Sequence, residues 1–193
     1  MSSDSWIVLK FGGTSINYEN FEVIKNIINK YQSEYKNIKI LIVLSAIRGV
    51  TDKLVDFTKF NKINETKNII KYIEEKYFTI YNKINNNTIN NFIFEKEFNK
   101  FKNYILDYEN SEDIDINPKI ISYGEYLSTF ILNDYLKFNN IKSHILDSKN
   151  IIKSECNNKE IFDKYIFTKN TTCTRRYGPC CNLKWYWVST TLR

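Results

Sequence analysis

The segment Trp6-Ile7-Val8-Leu9-Lys10-Phe11-Gly12-Gly13-Thr14-Ser15 decides how the rest of the sequence is interpreted. Its first residues are strand formers, and the two glycines that follow tolerate backbone angles that other residues avoid. Thr14 and Ser15 are candidate N-caps for a helix. The segment therefore predicts a strand that ends in a glycine turn before a helix.

The glycine turn is also a candidate phosphate site. Glycines let backbone amides approach an oxyanion closely, and Lys10 adds a positive charge beside Gly12 and Gly13. The spacing matches neither the Walker loop nor the spaced-glycine motif of dinucleotide folds. Because most Gly-Gly pairs are ordinary turns, the local pattern alone favours a turn and leaves phosphate binding as the second interpretation.

The hydrophobic pattern then alternates between helix and strand. Apolar residues at helical spacing predict an amphipathic helix over about 18–35, and a run of branched residues predicts a buried strand over 38–44. A strand–helix–strand unit favours a parallel sheet, with ligands at the carboxyl ends of the strands. Gly12, Gly13 and Ser45 are therefore expected at one edge of the sheet.

Hydrophobic spacing and turn-forming residues also predict the elements of the rest of the chain. Between about 64 and 108 we predict two helices with aromatic core positions and no catalytic residue, joined by the asparagine-rich stretch 85–91. An acidic loop then ends at Pro118. A helix is predicted from Gly124 to about Phe138, and a parallel strand over 141–146.

Polar residues at two strand-to-helix or loop-to-helix junctions have two interpretations each. Ser45 and Thr51 could hold a carboxylate through their hydroxyls, but such residues are also ordinary N-caps, and capping is favoured for Thr51 on local grounds. Glu125 could contact a ligand, or could be a first-turn acid that the helix dipole favours.

Three stretches together resemble the amino-terminal part of an aspartate kinase, a member of the amino acid kinase superfamily. They are Trp6 to Ser15, Val43-Leu44-Ser45-Ala46-Ile47-Arg48-Gly49-Val50-Thr51, and Ser122-Tyr123-Gly124-Glu125-Tyr126-Leu127-Ser128. The resemblance covers about residues 6–153. It implies an α/β fold with three αβα layers and a parallel sheet, here incomplete.

The resemblance also implies a reaction, the transfer of the γ-phosphoryl of ATP to the side-chain carboxylate of L-aspartate. The product, 4-phospho-L-aspartate, would serve lysine, threonine and methionine synthesis. Mg²⁺ would arrive bound to ATP, and no protein metal ligand is singled out. Family members are homo-oligomers. The implied catalytic residue is Lys10, the implied phosphate-binding residues are Lys10, Gly12, Gly13 and Thr14, and the implied aspartate-binding residues are Ser45, Thr51 and Glu125.

The composition of the chain argues against several other classes of protein. The chain of 193 residues is 42% hydrophobic, enough for one sizeable domain. Its net charge of +6 comes from scattered lysines rather than a stripe, so nucleic-acid binding ranks low. No apolar run approaches the roughly 18 residues of a membrane span, and neither a signal peptide nor a zinc-like cysteine spacing is present. We expect a cytoplasmic protein with no membrane partner.

The composition changes near residue 170. Three of four arginines, three of four cysteines and two of three tryptophans lie beyond it. We therefore divide the chain into 1–169, the N-terminal part of an amino acid kinase domain, and 170–193, an atypical tail. A frameshift explains the switch most simply, and a natural extension or a basic aromatic tail are the alternatives.

Truncation bears on activity. Aspartate kinases continue with a second glycine-rich segment that carries an arginine and an aspartate, and no such segment is readable here. The resemblance therefore implies that most of the adenine-nucleotide site is missing and that activity is impaired. The alternatives are an inactive truncated remnant or another carboxylate kinase such as acetylglutamate kinase. The Ser45–Thr51 and Gly124–Glu125 stretches favour aspartate over the latter.

Overall fold

The computed structural model describes residues 6–60, 65–85, 92–109, 117–147, 154–155, 166–167 and 186–191. These ranges contain strands, α-helices and a short 3-10 turn at Gly13–Ser15. In chain order the elements are β1 (Trp6–Phe11), α1 (Tyr18–Glu34), β2 (Lys39–Leu44), α2 (Val50–Phe60), α3 (Thr66–Asn85), α4 (Phe92–Glu109), α5 (Asn117–Ile121), α6 (Tyr123–Phe138), β3 (Ser143–Asp147), β4 (Ser154–Glu155), β5 (Ile166–Phe167) and β6 (Tyr186–Thr191).

The main sheet has the strand order β1-β2-β6-β3. β1 and β2 pair in parallel, with Trp6 opposite Lys39 and Phe11 opposite Leu44. β6 runs antiparallel to both β2 and β3, so β3 points in the same direction as β2. The predicted parallel strand–helix–strand unit and the α/β class are confirmed. β4 and β5 form a separate antiparallel pair.

β6 departs from an all-parallel sheet, and it comes from the segment whose composition is atypical. Its sequence Tyr-Trp-Val-Ser-Thr-Thr is rich in the aromatic and β-branched residues that favour strands. No strand or helix was predicted there. The proposed boundary between 169 and 170 lies outside the described residues.

The predicted helices are largely confirmed. α1 matches the expected 18–35, α3 and α4 match the two helices expected between 64 and 108, and α6 matches the helix opened by Gly124. The connection over 86–91 lies outside the described residues. The loop predicted to end at Pro118 is wrong in its last residues, because α5 already begins at Asn117. Proline suits the first turn of a helix, where its missing N–H leaves no hydrogen bond unmade.

The cap predicted for α1 is also wrong. Neither Thr14 nor Ser15 caps the helix, because both belong to the short 3-10 turn. The side chain of Asn17 instead accepts a hydrogen bond of 2.8 Å from the Asn20 amide. An asparagine one residue before the helix satisfies an amide that the first turn leaves without a partner.

Helices cover one face of the sheet. Ile40, Ile42 and Leu44 alternate along β2 and are almost fully buried on the side where α6 packs. On the other face of β1, Trp6 is 52% exposed and Val8 is 62% exposed. The second helical layer of the expected three-layer arrangement does not cover this part of the sheet in the ranges that the structure describes.

Aromatic side chains join the helices to one another. Phe94 stacks on Tyr81 with ring centroids 4.5 Å apart and meets Phe78 edge-on at 4.9 Å. Aromatic pairs of this kind stabilise the fold by more than the burial of their apolar area alone. The expectation that the aromatics between 64 and 108 form helix core is confirmed for Phe78, Tyr81, Phe94, Phe98 and Phe101, which pack with Tyr123, Tyr126 and Phe130 of α6. It is wrong for Tyr104, which is 38% exposed.

Candidate functional site

The glycine turn leaves β1 as a single tight 3-10 turn. The Ser15 amide donates a hydrogen bond of 2.9 Å to the Gly12 carbonyl. Gly12 has a φ of −79°, and among the described glycines only Gly49 has a positive φ. Neither Gly12 nor Gly13 therefore uses the positive φ that glycine tolerates.

The two glycines differ in their surroundings. A Cβ on Gly13 would lie 2.6 Å from the Ala46 carbonyl oxygen and 3.2 Å from the Arg48 nitrogen, so no larger residue fits without a shift. A Cβ on Gly12 would meet nothing within 4 Å, and Gly12 is exposed. Gly13 thus permits close backbone approach, while Gly12 leaves bare backbone open to an incoming group.

The loop that follows β2 is fixed to this turn by its backbone. The Ser45 amide donates a 3.1 Å hydrogen bond to the Phe11 carbonyl, and the Arg48 amide donates one of 3.1 Å to the Gly13 carbonyl. The glycine turn and Ser45 therefore share one edge of the sheet, as the parallel pairing of β1 and β2 predicts.

The start of α6 packs against the same loop. A Cβ on Gly124 would lie 2.8 Å from Ala46 Cβ and 3.0 Å from Val50 Cγ1. Gly49, with a φ of +83°, turns the chain into α2, and its carbonyl accepts a 3.2 Å hydrogen bond from the Lys53 amide. Glycines at these two positions let α6, the loop and α2 converge.

Thr51 and Glu125 meet where these elements converge. Thr51 is the second residue of α2, so the interpretation that it caps the helix is wrong. Its hydroxyl instead donates a hydrogen bond to the Glu125 carboxylate. Glu125 does lie in the first turn of α6, as the dipole argument predicts, and its own backbone amide also donates to the carboxylate.

The environment of Glu125 is that of a partly buried acid. Burial raises the pKa of its carboxyl above the usual value, and the hydrogen bonds from the backbone and from Thr51 offset only part of that effect. Its partners in the described part of the chain are these two donors rather than a cation. The site therefore offers a partly desolvated carboxylate that a cationic ligand group would stabilise.

Two further predicted phosphate-binding residues lie at the end of β1 and within the turn. Lys10 lies on the exposed side of β1, two residues before Gly12 and opposite Val43 of β2 in the register. Thr14 is exposed within the 3-10 turn. The first residues of a helical turn have amides without intrahelical partners, and Gly13 and Thr14 occupy such positions.

Tyr77 of α3 was predicted as a helix core position and not as a site residue. Its side chain is indeed fully buried. Its hydroxyl, however, donates a 2.7 Å hydrogen bond to the Gly124 carbonyl and accepts one of 3.4 Å from the Ile47 amide. A buried tyrosine needs a partner for its hydroxyl, but the sequence does not reveal which one.

In the part of the chain that the structure describes, no group of three or more His, Cys, Asp or Glu side chains lies together in a way that could hold a metal ion. Nor does any helix within these ranges have the length and apolar character needed to cross a membrane.

Comparison with known proteins identifies relatives of this fold. The amino acid kinase family model matches residues 5–172. The bifunctional aspartokinase/homoserine dehydrogenase of Buchnera aphidicola subsp. Acyrthosiphon pisum is 34% identical over 158 residues, which are 75% of this chain and 19% of that protein. The aspartokinase of Chlamydia pneumoniae is 30% identical over 154 residues, which are 78% of this chain and 32% of that protein.

Solved structures agree on the fold. Escherichia coli aspartokinase III in complex with aspartate and ADP superposes with a TM-score of 0.57 at 20% identity, over 72% of this chain and 30% of that chain. The same enzyme in complex with lysine and aspartate gives a TM-score of 0.59 with the same coverage and identity. The chain thus spans between 19% and 32% of the length of these relatives.

Proposed function

The chain belongs to the amino acid kinase family, and we propose that its site serves the transfer of the γ-phosphoryl of ATP to the side-chain carboxylate of L-aspartate. The 193 residues would supply the aspartate-binding part and the turn that holds the transferred phosphoryl. The similarity to two aspartokinases and to the fold of a third supports this choice within the family.

The observation that carries the proposal is the state of Glu125. Its carboxylate is partly buried, and its described partners are a hydroxyl and an amide but no cation. An α-ammonium group from an amino-acid substrate would supply the missing positive charge. Ser45 on the loop after β2 and Thr51 in the first turn of α2 would hold the carboxylates of the same substrate through their hydroxyls.

The phosphate side of the proposal rests on the turn after β1. Lys10 would stabilise negative charge on the transferring phosphoryl as the catalytic residue, and Gly12, Gly13 and Thr14 would donate amides to it. Mg²⁺ would enter bound to ATP and neutralise charge on its phosphates. Catalysis would consist of positioning and charge stabilisation, because a carboxylate nucleophile needs no activation by a base.

Within metabolism, we propose the first step of lysine, threonine and methionine synthesis, carried out in the cytoplasm. The acyl phosphate product is a reactive intermediate that a following reductive or transfer step would consume. The relatives are three to five times longer than the part that this chain matches, so the reaction is proposed for the whole protein.

Isothermal titration of the 193-residue chain tests the aspartate part of the proposal. L-aspartate should bind, and N-acetyl-L-aspartate, which has no ammonium group, should bind at least about tenfold more weakly, as expected for the loss of one charged hydrogen bond. Preferential binding of N-acetyl-L-glutamate would favour acetylglutamate kinase instead. Failure to bind any of the three would contradict the proposal.

Phosphoryl transfer is tested separately with MgATP and hydroxylamine, which traps an acyl phosphate as a hydroxamate. Hydroxamate that depends on L-aspartate would support activity of this chain. Aspartate binding without hydroxamate would favour the alternative of a catalytically inactive fragment that retains the acid site.

A further inference from the structure

We infer that Tyr77 is a positioning residue: its hydroxyl holds the loop after β2 against the start of α6 and thereby sets the distance between Thr51 and Glu125. The inference rests on the proposed function, since it assigns Tyr77 to the aspartate site. Tyr77 does not touch the substrate in this scheme. It acts through two segments that do.

The hydroxyl of Tyr77 uses its full hydrogen-bonding capacity. It donates its one proton to the Gly124 carbonyl over 2.7 Å. It then has lone pairs for the Ile47 amide at 3.4 Å and for the Ser128 hydroxyl at 3.4 Å. A phenol hydroxyl can donate one hydrogen bond and accept two, so these three partners use its whole hydrogen-bonding capacity.

The partners of the hydroxyl lie next to the proposed ligands. Ile47 lies in the loop between Ser45 and Thr51, and Gly124 directly precedes Glu125. The two segments also touch without Tyr77, because the Gly124 backbone lies against Ala46. The hydroxyl therefore bridges two segments that already pack against each other at Ala46 and Val50.

Packing alone does not explain a tyrosine at this position. Phenylalanine would fill nearly the same volume of the fully buried site without a polar atom that must find partners. The hydrogen-bond partners of the hydroxyl do not belong to α3. Each of them belongs to the loop after β2 or to α6. Tyr72 of the same helix approaches the same loop, with its hydroxyl 3.2 Å from the place of a Cβ on Gly49.

Tyr77→Phe tests the inference, and Tyr108→Phe is its matched control. Tyr108 is also buried, and its hydroxyl also donates a 2.7 Å hydrogen bond to a distant carbonyl, that of Thr58, away from the site. Both variants should lose thermal stability to a similar degree. Only Tyr77→Phe should weaken L-aspartate binding, by about tenfold, whereas Tyr108→Phe should change it less than about twofold.

Selectivity separates positioning from a general loss of folded protein. Succinate has the two carboxylates of aspartate but lacks the ammonium group, so its binding does not depend on where Glu125 lies. Tyr77→Phe should therefore reduce the preference for L-aspartate over succinate. An unchanged preference, or an equal loss of aspartate affinity in Tyr108→Phe, would overturn the inference.

A second readout works without ligand. In Tyr77→Phe the Ile47 amide loses its acceptor, so its hydrogen exchange measured by NMR should accelerate relative to amides of α4, and in Tyr108→Phe it should not. Unchanged Ile47 exchange would overturn the positioning role, whatever the titrations show. If the exchange changes as expected while the parent chain binds no aspartate, the bridge stands as a contact but its assignment to an aspartate site, and the proposed function with it, is refuted.

Discussion

The side-chain hydroxyl of Thr51 donates a hydrogen bond to the carboxylate of Glu125 and so connects the first turn of α2 to the first turn of α6. The bond partly offsets the cost of burying the acid. It also leaves part of the carboxylate for a ligand, since a carboxylate accepts about four hydrogen bonds and only two donors are described here.

Removing the Thr51 hydroxyl should weaken substrate binding without unfolding the chain. Thr51→Val keeps the shape of the side chain but deletes the donor, so we expect the pKa of Glu125 to rise further and L-aspartate affinity to fall about three- to tenfold. Thr51→Ser keeps the donor and is the control. Titration calorimetry at pH 8 measures both, and equal affinities for the two variants would contradict a role for the hydroxyl.

The raised pKa of Glu125 predicts how stability depends on pH. Between its usual value of 4.5 and its raised value, the folded chain retains a proton that the unfolded chain has lost. The free energy of unfolding should therefore contain a component that falls as pH rises through this window. Urea denaturation from pH 4 to pH 8 should show this component in the parent chain.

Glu125→Gln removes the titrating group and should remove that component. The variant should be more stable than the parent above the window, and the difference should shrink toward pH 4, where both carry a neutral side chain. A constant difference across the range would mean that the Glu125 carboxyl is not perturbed in the folded chain. The variant should also lose L-aspartate affinity, because its side chain cannot pair with an ammonium group.

The glycine turn gives a pair of substitutions with opposite expectations. Gly13→Ala places a Cβ 2.6 Å from the Ala46 carbonyl oxygen, so it should destabilise the chain by about 1–3 kcal/mol, as overpacking does. Gly12→Ala meets nothing within 4 Å at an ordinary φ, so its stability should change by less than about 1 kcal/mol in either direction. Thermal unfolding of the two variants measures the contrast.

The same pair separates fold from phosphate binding. If the bare backbone at Gly12 receives a phosphate, Gly12→Ala should weaken MgATP binding although its stability is intact. If nucleotide binding is unchanged in Gly12→Ala, the exposed glycine is only a turn residue and the phosphate interpretation of the turn is wrong.

Hydrophobic spacing was sufficient to predict α1, α3, α4 and the parallel pairing of β1 with β2, because these features depend on local periodicity. It could not identify the cap of α1: Thr14 and Ser15 are as suitable by type as Asn17, and the choice depends on a 3-10 turn that periodicity does not encode. The closeness of Thr51 and Glu125 followed from the resemblance rather than from spacing, since the contact joins distant parts of the chain.

Two further features could not be predicted from the sequence because they depend on how distant elements pack and pair. The partners of Tyr77 are set by how α3 lies across the loop and α6, and a helical stripe shows only that the residue is buried. The position of β6 between β2 and β3 is a matter of strand pairing over a long sequence separation, which strand-forming residues alone do not specify.

The open face of β1 should drive association between chains. β1 is the edge strand in the sheet order and carries Trp6 and Val8, each more than half exposed. An edge strand with exposed apolar residues is a template for pairing with another chain, and a lysine at its centre opposes such pairing. Val8→Lys should therefore shift sedimentation-velocity profiles toward the monomer.

Val23→Lys is the control for Val8→Lys. Val23 is a similarly exposed valine, 51%, on helix α1, and the substitution adds the same charge. If both variants reduce association equally, net charge rather than the face of β1 governs it, and if neither does, that face is not an association surface.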